Sequence, residues 1–246
     1  MFLKHAKALI DTHTIISFDI FDTLLLRPYL CPADLFIHLE KLYKLPSFAK
    51  RRREAEAAAR QKCNTEDVTY DEIYAQLSAE DANLKQEELN LEQQTLQPNP
   101  VMLQVFEYAK QQGKRIIITS DMYLPADFLA TVLRQKGFDG FEKLYVSNAF
   151  GKTKHTGSLY QFIQQDLQAQ GHDFLHIGDN LHSDVRHAQK AGWDALYYPQ
   201  AQKQYFQTHK RALKFWKKYP SFEASVALGI LVVSSTNTPP VRLIFL

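Results

Sequence analysis

At 246 residues the chain is long enough for one good-sized domain, or a domain with an insertion, and for a core that stands alone. With a formal charge of +2, 45% hydrophobic and 23% charged residues it reads as an ordinary soluble globular protein, and nothing in that balance calls for nucleic acid or an anionic membrane as partner. Two cysteines, Cys31 and Cys63, form no CxxC and no zinc-like spacing, so a reduced, cytoplasmic compartment is expected.

The opening "MFLKHAKALIDTH" alternates charge with apolar residues as an amphipathic helix does, and lacks the apolar core of a secretion signal. A short β-branched run, Thr14 to Phe18, then leads straight into Asp19, Ile20, Phe21 and Asp22. Residues 27–98 hold helical patterns such as "ADLFIHLEKLYK", "FAKRRREAEAAARQK" and "TYDEIYAQL" and no convincing strand, and "LQPNPVML" marks the return from this insertion. Strand-length runs follow at Arg115 to Thr119, Leu144 to Ser147, Phe174 to Ile177 and Ala195 to Tyr198. Between the first two of these, "PADFLATVLRQKGF" reads as a helix with Pro125 at its first position and Gly137 just past its end. Further on, "HKRALKFWKKYP" mixes basic and aromatic residues as a membrane-surface helix can, although packing of Leu213 and Trp216 onto the core is the better reading. The apolar "ASVALGILVVSS" is about half of the roughly 20 residues a bilayer span needs, so it reads as a buried helix or strand and no stable membrane insertion is expected. The end, "PPVRLIFL", has the composition of a docking strand.

Strands alternating with helices predict an α/β fold, a doubly wound, Rossmann-like parallel sheet with helices on both faces. The expected division is a core of residues 1–26 and 99–210, a helical cap over 27–98, and a C-terminal extension from 211 to 246. Ligands of such sheets bind beyond the carboxyl ends of the strands. Asp19 and Asp22, Ser120 and Asp121, and Gly178 and Asp179 all follow strands there, so three loops are expected to gather at one edge.

The ordered set "FDIFDT", "ITSD", "GKTKHTG" and "HIGDNLHSD" resembles the haloacid dehalogenase-like superfamily of hydrolases, across about residues 14–199. "SFDIFDTLLLRP" with "TSDMYLP" is similar to a subgroup of that superfamily associated with bacterial surface-polysaccharide functions. The resemblance implies a helical cap and Mg²⁺-dependent phosphoryl transfer from a small phosphorylated substrate through an aspartyl-phosphate. Asp19 is the candidate nucleophile. Asp19, the backbone carbonyl of Ile20, Asp179 and Asp184 are candidate metal ligands, and crowded carboxylates of this kind suit a hard cation. Ser120 and a lysine are expected to hold phosphoryl oxygens. Lys154, six residues before Tyr160, matches the family spacing better than Lys152. Backbone amides after Asp179 are a further candidate for the anion site.

Phe21 stands where phosphatases of this superfamily carry the aspartate that protonates the leaving group. Its presence leans towards dehalogenases, which carry tyrosine there, while the aspartates of "GDNLHSD" lean back towards a metal-dependent phosphatase. Asp22 is the candidate substitute acid, although with conventional backbone its side chain points elsewhere. A metal-independent dehalogenase, or a catalytically weak domain serving polysaccharide assembly, are the alternatives. Arg27, where the insertion leaves the core, is a candidate for the site entrance. Arg51, Arg52, Arg53 and Arg60 read as a solvated, salt-bridged helix face, and Thr23 as a threonine bonding the local backbone. His172, His176, His182 and His187 are not read as metal ligands, and His176 reads as a packed core histidine.

Overall fold

The structure, a computed structural model, describes residues 2–236, so the apolar "PPVRLIFL" end lies outside the described residues. Among the described residues there are seven strands: β1 (Ile15–Phe18), β2 (Leu25–Leu26), β3 (Gln97–Pro98), β4 (Arg115–Ser120), β5 (Lys143–Val146), β6 (Phe174–Gly178) and β7 (Asp194–Tyr197). Five of them form one parallel sheet in the order β5-β4-β1-β6-β7, with Phe18 of β1 between Ile118 and Ile177. Every residue of β1 is buried, as a central parallel strand with both faces covered requires.

Side chains alternate between the two faces of the sheet. Ile16, Phe18, Ile118 and Ile177 meet Ile10, Phe106 and Leu133 from the helices Phe2–Thr12, Pro100–Gln111 and Ala126–Gln135. Ile15, Ile117 and Phe174 face the opposite layer with Trp193 and with Leu159 and Ile163 of the helix Ser158–Leu167. This is the expected doubly wound, Rossmann-like α/β sheet. Small differences are local. Pro125 is extended (ψ 139°) and caps the helix that begins at Ala126, while Gly137 takes the left-handed turn (φ +93°) past its end.

Between β2 and β3 the chain is helical, with helices Asp34–Tyr43, Phe48–Lys62, Tyr70–Tyr74, Ala79–Ala82 and Lys85–Thr95. Strand pairing was not expected here, yet Leu25 and Leu26 pair antiparallel with Pro98 and Gln97. The reason lies in the buried backbone where the chain leaves and returns: Asn99 N donates to Leu24 O at 2.9 Å and Asn99 Nδ2 to Thr23 O at 2.9 Å, so that those carbonyls are paired. The Thr23 hydroxyl, expected to bond local backbone, is buried with no partner; its carbonyl does the tethering.

Arg52 departs furthest from expectation. It is fully buried, not solvated, because the inward stripe of helix Phe48–Lys62 runs Phe48, Ala49, Arg52, Ala55, Ala59, and the alanines leave room for one long side chain. Its Nε and Nη2 donate to the buried Glu88 carboxylate, each at 2.8 Å, and its guanidinium lies 4.6 Å from the Phe36 ring centroid. Arg51 and Arg60, each partly exposed, do form ion pairs, but with buried aspartates, Asp81 at 2.6 Å and Asp67 at 2.7 Å.

After β7 come helices Ala201–Thr208, Lys210–Lys218 and Phe222–Thr236. The apolar "ASVALGILVVSS" is therefore a helix. Gly229 lets it approach the chain at Pro28, whose carbonyl carbon would lie 2.5 Å from a Cβ there, and Ser225 Oγ accepts from Leu30 N at 2.9 Å. Leu213 and Trp216 pack, half-buried, against this C-terminal cluster and not against the sheet. Among the described residues no helix is long and apolar enough to cross a membrane.

Candidate active site

The carboxyl ends of β1, β4 and β6 open on a cleft of about 500 Å³, lined by Asp19, Asp22, Ser120, Lys154, Asp179 and Asp184 from the sheet side and by Leu35, Phe36, Glu56 and Glu92 from the helical segment. Asp19 follows β1 directly, its amide still in the sheet through Ile177 O at 3.0 Å, so its carboxylate starts from a rigid base. Asp184 reaches the same place by a different route. The chain turns after β6, Asn180 Oδ1 caps the π-helical turn Leu181–His187 by accepting from His182 N and Ser183 N, and Asp184 folds back so that Oδ2 accepts from Asn180 N at 2.9 Å. Gly178 makes room, since a Cβ there would sit 2.5 Å from Asp184 Cγ. The amides of Asn180, His182 and Ser183 are thus taken by Asn180 and Asp184 themselves.

Carboxylate oxygens of Asp19, Asp179 and Asp184 lie within 4.8 Å of one another, and among the described residues no other group of three His, Cys, Asp or Glu side chains is close enough to share an ion. Lys154 Nζ donates to Asp19 Oδ1 at 2.6 Å and to Asp184 Oδ1 at 2.7 Å. Asp121, beside Ser120, fixes the lysine loop by accepting from Lys154 N at 2.7 Å and His155 N at 2.9 Å. Of the two competing lysines, Lys154 lines the cleft and Lys152 does not.

Three acids and one ammonium in a buried place cannot all keep their ordinary affinities for protons. Burial, with the Asp184 and Asp179 charges, pushes Asp19 well up against the opposing pull of Lys154. Burial and the nearby Asp22 and Asp184 carboxylates raise Asp179 to about 7. Burial works on Asp184 too, but Lys154 and His176 outweigh it and hold that carboxyl well below the usual range. Lys154 stays charged despite its burial, because Asp184 and Asp19 flank it. The three acids exceed the one ammonium in charge, and a hard divalent cation with oxygen ligands fits the surplus.

Other sequence candidates fall in and out of this cleft. Asp22 lies in it, contrary to the conventional-backbone expectation, because its backbone is left-handed (φ 59°) and its N–H donates to Leu25 O at 2.9 Å. Burial raises its carboxyl. Ile20 is not among the lining residues; its side chain is fully buried and its carbonyl accepts from Leu25 N at 2.8 Å. Arg27 does line the cleft, with its guanidinium 3.8 Å from the Phe21 ring centroid and Nη2 2.6 Å from Glu92 Oε1. Phe21 and Glu92 therefore clamp Arg27 from two sides. His176 is buried in the core as expected, held by Ser17 Oγ at 2.8 Å and 3.5 Å from Asp184 behind the site.

Three neighbours carry no signal in the sequence: Gln200, whose Nε2 donates to Asp179 Oδ2 at 2.6 Å; Glu66, whose Oε2 accepts from Thr153 N at 2.9 Å and Ser158 Oγ at 2.7 Å in the lysine loop; and Glu92. Each meets its partner from a distant segment of chain. Asp121 alone was legible, as the residue after a strand.

A parallel sheet with a carboxylate directly after its central strand, two further acids in the turn after the neighbouring β6 and a buried lysine from the loop beyond β5 defines an α/β protein with a carboxylate-centred site. The chain belongs to the haloacid dehalogenase-like hydrolases, whose family model matches residues 14–192. No curated protein matches it. Solved structures similar in fold include YfnB from Bacillus subtilis in a magnesium-bound form (18% identity, 75% of this chain and 88% of that one, TM-score 0.53). Others are the 2-haloacid dehalogenase of Pseudomonas syringae pv. Tomato DC3000 (16%, 76% and 86%, TM-score 0.52) and the L-2-haloacid dehalogenase of Xanthobacter autotrophicus (16%, 75% and 77%, TM-score 0.52).

Proposed function

We propose that the protein is a cytoplasmic, Mg²⁺-dependent phosphatase of a small phosphate ester, acting through an aspartyl-phosphate on Asp19. The observation that carries this reading is the convergence of three carboxylates within 4.8 Å beside Lys154. Asp19, Asp179 and Asp184 would hold the metal, which when bound supplies charge neutralisation for the phosphoryl oxygens. Asp19 attacks phosphorus in line with the departing alkoxide, and water later cleaves the acyl-phosphate to return the free carboxylate and inorganic phosphate. Lys154 and Ser120 meet the phosphoryl oxygens as their charge grows. Asp22 gives its proton to the leaving oxygen, a role supported by its place in the cleft and by the burial that raises its carboxyl.

Glu56, Glu92, Phe36 and Tyr123 also line the cleft. Carboxylates and aromatic faces suit hydroxyl groups and C–H surfaces, so a sugar phosphate is the substrate class we favour, in keeping with the resemblance to the polysaccharide-associated subgroup. One observation favours a second reading: Phe21, in the position of the usual acid, together with fold neighbours named as 2-haloacid dehalogenases. Phosphate release from a panel of sugar, glycerol and nucleotide phosphates, with and without Mg²⁺, separates the two. The expected outcome is Mg²⁺-dependent turnover that Asp19→Asn abolishes. Halide release from a 2-haloacid without metal, and no phosphate release by folded protein, would overturn the proposal.

A further inference from the structure

Between Asp194 and Glu223 the chain has no acidic residue but six lysines and arginines, whereas its total formal charge is only +2. Five of the six fall in the helix Lys210–Lys218, which buries none of its residues fully. The helix rests on its neighbours through one narrow face, with Ala212, Leu213 and Trp216 half-buried against the C-terminal cluster. At 100° per residue the remaining arc runs without interruption from Lys217, Lys210 and Lys214 through Lys218 and Arg211 to Phe215. Phe215 is 49% and Tyr219 53% exposed, and their rings lie 5.6 Å apart, an aromatic pair set in a field of cations.

The packing face therefore accounts for Leu213 and Trp216 and leaves Phe215 and Tyr219 unexplained. Exposed aromatics are costly to leave in water, and like charges at this density repel one another. Both costs are relieved on a surface that is anionic outside and apolar just beneath. The cations are four lysines to one arginine, point charges suited to a diffuse anionic surface more than forks suited to base edges. A helix of nine residues, about 13 Å long, lies flat in a headgroup layer with aromatic side chains directed down and lysines reaching outward.

We propose that the helix Lys210–Lys218, with Phe215 and Tyr219 as its apolar anchors, docks the protein peripherally on an anionic lipid surface. The contact is reversible and adds to the hydrolase site without forming part of it. Flotation of the full chain with vesicles of phosphatidylcholine alone, and with phosphatidylglycerol replacing a third of it, tests this. Binding is expected to the anionic vesicles only and to fall on adding salt. Lys214→Gln with Lys217→Gln should weaken partitioning about 30-fold, at about 1 kcal/mol per lysine. Phe215→Ser with Tyr219→Ser should weaken it by about tenfold or more. All four positions are exposed, so circular dichroism and phosphate-release activity in solution should not change in either variant. Equal binding to both vesicle types, no binding to either, full retention by either double variant, or tighter binding to duplex DNA than to the anionic vesicles would each overturn the proposal.

Discussion

At the scale of single residues, Phe21 and Asp22 decide what kind of hydrolase this is. Phe21 does not stand in for a missing proton; its ring is a platform for Arg27, which Glu92 holds from the far side. In the proposed mechanism the acid's role passes one residue on, to Asp22, whose left-handed backbone accompanies its place in the cleft. Asp22→Asn should therefore lower turnover of an alkyl phosphate by about 10²- to 10⁴-fold while an activated aryl phosphate, whose leaving group needs no proton, loses far less. Equal and small losses on both would remove Asp22 from the mechanism. What the sequence displayed at this scale were side chains attached directly to strand ends, Asp19, Ser120 and Asp179. Asp22 was visible as a carboxylate but not as a cleft residue, because its direction depends on a φ angle that no periodicity reports.

At the scale of elements, the helical segment between β2 and β3 does more than roof the cleft. Glu66 accepts from Thr153 and Ser158 at both ends of the loop that carries Lys154, and Asp67 of the same stretch accepts from Ser147 Oγ. Glu66→Ala should then cost about 10- to 100-fold in kcat by loosening a lysine that must sit within an ångström of its place. The expected signature is lost turnover with little change in melting temperature, since Glu66 is near the surface and its bonds are partly replaced by water. The Arg52–Glu88 pair behaves differently, being buried on both sides. Glu88→Ala strands the guanidinium without its carboxylate and should destabilise by about 3–5 kcal/mol, read from the shift of a urea unfolding midpoint. The five strands of the parallel sheet and the helix Ala126–Gln135 were legible from local pattern, while the β2–β3 pair was not. Arg52 was not, since a run of three arginines averages to a solvated face and only the alanine stripe beneath shows which of them turns inward.

At the scale of the molecule, the sheet gathers three acids at one buried edge, and folding carries the cost of crowding them. Asp19 and Asp179 both keep protons in the folded chain, Asp179 up to about pH 7, that unfolded aspartates release above about pH 4. Between those limits the native state binds more protons than the unfolded one, so stability falls as pH rises, by at most about 1.4 kcal/mol per pH unit for each group. Asp184 has the opposite sign, because its folded value is depressed; its contribution is complete above about pH 4 and is lost only below it, outside this window. A divalent cation held by these carboxylates removes the penalty and displaces the protons. The increase in melting temperature on adding Mg²⁺ should therefore be larger at about pH 8 than at about pH 5.5, and calorimetry in buffers of different ionisation enthalpy near the lower pH should register proton release on binding. A shift that is the same at both pH values, or one that survives in Asp179→Asn, would mean that the cation binds elsewhere and that the crowding of these three acids serves another purpose.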